Sequence, residues 1–161
     1  MTDHERLAKF LDFSAKLTAF RSFELQGTDQ AEPYLSTVTD VVGQEILDEL
    51  LETYVRAAGE AGDGDGALDR LIRRDILSDD KLGPIARNVI KLWYVGIWYE
   101  LPSTWREAFG PRENDFTFMV SPVAYTEGLL WPTIGANPSG AKAPGYGSWA
   151  QPPRIPADGR G

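Results

Sequence analysis

Cysteine is absent from the 161 residues, and the only histidine is His4. Without thiols the chain has no disulfides, no thiolate nucleophile, no iron–sulfur ligation and no haem attachment through a Cys-x-x-Cys-His motif. With one histidine, placed in a first helical turn, it lacks the parts for Ser-His-Asp, Cys-His or histidine-rich metal chemistry. Excess positive charge is also missing. Sixteen basic residues face 24 acidic ones, giving a formal charge of −8 and a pI near 4.6. Such a surface repels phosphate backbones, so nucleic acid and anionic membranes are poor direct partners. No apolar run approaches the roughly 20 residues of a membrane span. The Met1–Arg6 stretch has no basic region leading into an apolar core. A cytoplasmic location is therefore expected, or a periplasmic one where an export segment has been removed.

Nucleotide and metal motifs fare no better. No Gly-x-Gly-x-x-Gly and no phosphate loop occur, so no dinucleotide cradle is expected in this chain. Asp63, Asp65 and Asp69 resemble a calcium loop, but Ala67 and Arg74 occupy positions where ligands are needed. Ser78-Asp79-Asp80-Lys81 has Ser-x-x-Lys spacing without the companion motifs of that chemistry. A helix start capped by Ser78 accounts for it more simply. Glu127, paired with Tyr125 or Glu100, offers no common scaffold for carboxylate catalysis. No catalytic, cofactor-binding or metal-binding residue is assigned.

What is present divides into two halves. Residues 1–100 read as a helical domain. Thr2-Asp3-His4-Glu5 has capping-box spacing, and Leu7, Phe10, Leu11, Leu17 and Phe20 follow at helical intervals. Pro33 suits a first helical turn, and Val38 to Val55 traces a long apolar stripe with a bend expected at Gly43. After the break at Asp63–Gly66, a short helix holds Leu68, Leu71, Ile72 and Ile76. A further helix carries Leu82, Ile85, Val89, Trp93 and Ile97. No run of alternating strands and no repeat is found. The expected fold is mainly α, an irregular helical bundle.

Residues 101–161 change character. They hold nine of the eleven prolines and eight of the sixteen glycines, a density at which disorder is the usual reading. They also hold Phe109, Phe116, Phe118, Tyr125, Trp131, Tyr146 and Trp149, and disordered segments are poor in aromatics. An extended segment pinned on a surface reconciles the two, the helical half supplying part of that surface and a partner the rest. One short helix is expected near 122–131, opened by Ser121 and Pro122 and closed by Pro132. The whole is expected to form a single structural domain. For the aromatics, core packing is the first reading, most clearly for Trp93. Interface anchoring comes second for those in the later half, and sugar stacking is a third.

Three stretches carry a resemblance to a known family: Leu92-Trp93-Tyr94-Val95-Gly96; Ser121 to Trp131 with Tyr125; and Ala143-Pro144-Gly145-Tyr146-Gly147-Ser148-Trp149-Ala150 followed by Pro152-Pro153. Together with Phe13 to Phe20 and on to Tyr34, they resemble the small (gamma-type) subunits of FAD-dependent sorbitol, fructose and glucose dehydrogenases. The resemblance implies a non-catalytic, chaperone-like subunit that binds, folds and stabilises a large flavoprotein of the glucose–methanol–choline (GMC) type. The FAD and the sugar pocket belong to that partner, and a cytochrome takes electrons in some complexes. It also implies a partner interface at Tyr125, Trp131, Pro144, Gly145, Tyr146 and Trp149. The alternative is a stand-alone carbohydrate-binding module built on Trp131, Tyr146 and Trp149.

Overall fold

Thr2 starts the first helix with both halves of a capping box. Its hydroxyl accepts from the Glu5 amide, and its own amide donates to the Glu5 carboxylate at 2.7 Å. In the computed structural model, which describes residues 1–138, that helix is α1, Asp3–Thr18. It ends where Ala19 takes left-handed backbone, so Phe20 falls just beyond the helix. The short helix α2, Ser22–Gln26, and a turn over Gly27–Asp29 lead into α3, Ala31–Val42, with Pro33 in its first turn.

The apolar stripe from Val38 to Val55 is two helices. Gly43 stands at φ +87°, a conformation foreign to helix, and separates α3 from α4, Gln44–Ala61. After the acidic glycine loop, α5 spans Ala67–Ile72 and runs into a π-helical turn, Arg73–Leu77. This turn alters the next helix start. The wide turn binds the Ser78 amide back to the Arg73 carbonyl, so Ser78 finishes one element instead of capping the next. Asp79 does the capping, its Oδ1 accepting from the amides of Lys81 and Leu82 at 2.9 and 2.7 Å. Helix α6, Leu82–Val95, follows.

Helix α6 touches α1, α3 and the π turn as well as the later elements of the chain, which makes it central to the fold. Its Ile85, Val89, Leu92 and Trp93 are sealed from solvent with Phe10 and Phe13 of α1 and Leu47, Leu50 and Leu51 of α4. Trp93 lies at the aromatic centre of this core. The Tyr34 ring meets it edge-on at 4.9 Å and Phe10 stacks at 6.4 Å.

Residues 101–138 fold back onto the bundle. Strand β1, Ile97–Trp98, pairs antiparallel with β2, Phe118–Met119, in a two-residue ribbon. Between them lies α7, Ser103–Phe109, and after them come α8, Pro122–Thr126, and α9, Leu130–Thr133. The ribbon is held by one carboxylate. Asp115, buried, accepts from the Trp98 indole at 2.9 Å and from the Leu101 amide at 3.0 Å. Trp105 is buried as well, its indole donating to the Lys81 carbonyl at 2.8 Å. Thus Trp98, of the helical half, and Trp105, of the proline-rich half, both find their burial within this chain, the helical half supplying the surface for the second. The mainly α fold is as expected. The expected helix over 122–131 is instead two short helices.

Candidate partner-binding site

The split between α8 and α9 builds the candidate site. Ser121 caps α8, its Oγ accepting from the Ala124 amide at 3.0 Å, and Pro122 follows at the first helical position. Ala124 is sealed against Gly96, which closes α6 in left-handed conformation at φ +70°. Gly128 passes so close to the Tyr94 carbonyl that a Cβ there would lie 2.6 Å from its oxygen. Leu129 then donates its amide to the Trp93 carbonyl at 2.9 Å and buries its side chain. These contacts with α6 break the helix, and they turn Trp131 back over Tyr125.

Trp131 is held in one orientation. Its indole N–H donates to the Tyr125 carbonyl at 2.8 Å, and the two rings meet edge-to-face with centroids 5.4 Å apart. The Ala136 amide donates to the Trp131 carbonyl at 2.8 Å, which closes a turn over the residues between them. Both aromatic side chains remain half-buried. Val123 and Ile134, near the pair in sequence, stand out into solvent at 54% and 59% exposure. The structure therefore brings Tyr125 and Trp131 together. Pro144, Gly145, Tyr146 and Trp149 lie outside the described residues.

Next to Trp131 a cleft of about 330 Å³ opens between the α2 region and α9. Phe20, Leu129, Trp131 and Pro132 form its apolar walls, and among the described residues its ionisable lining groups are Glu24 and Glu127. Phe20 is fixed edge-on to Tyr94 at 6.2 Å. Burial and then the Glu127 charge push the Tyr34 hydroxyl above the usual tyrosine range, and among the described residues that hydroxyl has no hydrogen-bond partner.

A second exposed apolar surface was not singled out as a site from sequence. Met119 on the ribbon and Phe116 just before it are 46% and 55% exposed, with Phe116 against Phe118 at 5.0 Å. The alternation Phe116-Thr117-Phe118 was the available signal, a period of two in a chain otherwise written in helical periods.

The remaining candidates separate in space or join the scaffold. His4 is exposed in the first turn of α1. Asp69 pairs with Lys16 at 3.0 Å, and Glu100 pairs with Arg106. Among the described residues no group of three or more His, Cys, Asp or Glu could hold a metal ion. No described helix is long and apolar enough to cross a membrane. A scan against family models finds no match, and neither do searches of curated proteins and of solved structures.

Proposed function

We propose that this chain is a non-catalytic small subunit that binds, folds and stabilises a large FAD-dependent, GMC-type sugar or polyol dehydrogenase. The reading rests on the resemblance of residues 92–96, 121–131 and 143–153 to such subunits. One structural observation supports it most: Trp131 is held in one orientation against Tyr125 while half-open to solvent. An aromatic ring fixed before binding loses little conformational entropy on docking, which is the property of an interface anchor. Tyr125 supports the ring, while Pro144, Gly145, Tyr146 and Trp149 continue the contact. FAD and the groups that abstract hydride reside in the partner, whose substrate and electron acceptor are set there.

Co-expression with a GMC-type flavoprotein encoded beside this chain tests the reading. A one-to-one complex holding flavin is expected. Trp131→Ala should lower its recovery by about tenfold, the scale of a 1.4 kcal/mol anchor, with the helical circular dichroism of the small subunit unchanged. Undiminished yield and flavin content in that variant would remove Trp131 from the interface. Sugar titration of the isolated chain separates the carbohydrate-module alternative: quenching of Trp131 emission by glucose or sorbitol, lost in Trp131→Ala, would favour that module instead.

A further inference from the structure

We infer that the outer edge of β2 receives a strand of the partner flavoprotein, which extends the two-stranded ribbon by main-chain hydrogen bonds. This rests on the subunit reading above and names a second surface through which that subunit grips its partner. The phase of the ladder carries the argument. The Val120 amide donates to the Gly96 carbonyl at 2.9 Å, with Ile97 opposite Met119 and Trp98 opposite Phe118. In an antiparallel pair, bonded and non-bonded positions alternate. Gly96 and Val120 therefore bond each other, as do Trp98 and Phe118, which turns the Met119 N–H and C=O away from β1.

The two edges of the ribbon differ. That of β1 is closed within the chain: the Asn88 side chain donates to the Tyr99 carbonyl at 2.8 Å and accepts from the Tyr99 amide at 3.2 Å, as a neighbouring strand would. Among the described residues nothing bonds the outward main-chain groups of Met119. An open edge is a template for another strand, and proteins usually guard it with lysine, proline or a bulge. Phe116-Thr117-Phe118-Met119-Val120-Ser121 has no charge, no proline and no glycine, which is the composition of a pairing segment.

The occupant follows from what the alternatives lack. The sequence after Pro138 has no run longer than four residues free of proline and glycine, a composition that does not supply a strand. A second copy would bring together two chains of formal charge −8, which repel. The candidate interface is continuous with the edge: Ser121, two residues after Met119, caps α8, which packs on β2 and carries Tyr125. A strand of the same partner reaches both. It would be uncharged and apolar on both faces, because Phe116 lies on the side of Phe118 and Met119 on the other.

Amide hydrogen exchange on the isolated chain and on the co-expressed complex tests this. Met119 should exchange about tenfold more slowly in the complex, while Val120, bonded to Gly96 in both, should change little. Met119→Pro removes the outward donor and no bond within the ribbon. It should keep the helical circular dichroism of the chain and lower complex recovery by about tenfold, the scale of a buried acceptor left unpaired. Met119→Lys keeps the N–H but adds an edge guard, and should lower recovery too. Unchanged exchange at Met119, or full recovery of both variants, would overturn the strand docking and leave the subunit reading standing. A dimer of the isolated chain in sedimentation equilibrium, dissociated by Met119→Pro, would give the edge to a second copy instead. If no flavoprotein complex forms, the subunit reading fails and the partner strand falls with it.

Discussion

Gly96→Ala should be the most damaging single-methyl substitution at the junction of the two halves. The glycine closes α6 at φ +70°, ψ +21°, where an alanine pays about 1–2 kcal/mol for left-handed backbone. The added Cβ would also lie 2.7 Å from the Ala124 carbonyl carbon and 2.8 Å from its oxygen. Those are backbone atoms of α8 and cannot swing aside as a flexible side chain would. Relief requires α8 to lift from α6, and overpacking of this kind costs about 1–3 kcal/mol more. The sum, about 3 kcal/mol, corresponds to a fall in Tm of about 6–12 °C for a chain of this size. Gly66→Ala isolates the backbone part. Its φ is +69°, and its nearest foreign atom is the Arg70 guanidinium at 3.5 Å, an ordinary contact. Urea unfolding followed by circular dichroism and by tryptophan emission should show Gly96→Ala less stable than Gly66→Ala by the overpacking share. Equal losses in the two variants would mean that Ala124 is not seated on Gly96, and the docking of residues 101–138 would be refuted.

Asp115→Ala should cost about 3 kcal/mol, because the Trp98 indole and the Leu101 amide lose a charged acceptor in a buried place. Urea unfolding measures it, and a red shift of Trp98 emission should accompany it. Tyr34→Phe should leave stability unchanged or raise it by up to about 1 kcal/mol, since the buried hydroxyl has no partner among the described residues. Tyr54→Phe should lower it by a similar amount, because that hydroxyl donates to Asp12 at 2.7 Å. Both tyrosines titrate above their usual range in the fold, chiefly through burial. Their contribution is therefore complete below about pH 10 and is lost as pH rises further, so the Tyr34→Phe variant should resist alkaline unfolding better than the parent. At the acid end the Arg6 guanidinium, at 2.7 Å, holds the Asp48 carboxyl below its usual range. That stabilisation is complete above about pH 4 and fades as pH falls through the lowered value. Asp48→Asn should flatten the acid limb of a stability–pH curve, and an unchanged limb would exclude the pair.

Local grammar was sufficient for much of the bundle. The capping box at Thr2 and Glu5, the breaks at Gly43 and Asp63–Gly66, and the Ser121-Pro122 start of α8 depend on neighbours within a few residues, and all are readable in the chain order. Trp93 was legible as core for the same reason, its helical spacing with Val89 placing it on the buried stripe of α6. Of the candidate interface, Tyr125 and Trp131 were identifiable by their residue types and by the stretch that carries the resemblance.

Tertiary structure decided the rest. Whether Ser78 or Asp79 caps α6 turns on a π-helical turn that shifts the register by one residue, and periodicity cannot register a slip of that size. The helix expected over 122–131 breaks because the Trp93 and Tyr94 carbonyls, some 35 residues earlier, meet the chain at Gly128 and Leu129. Trp98 and Trp105 escape the surface only because Asp115 and the Lys81 carbonyl wait for their indole protons. Composition specifies that these rings must be covered, but not by what. The cover comes from hydrogen-bond acceptors distant in sequence, which only the folded chain brings within reach.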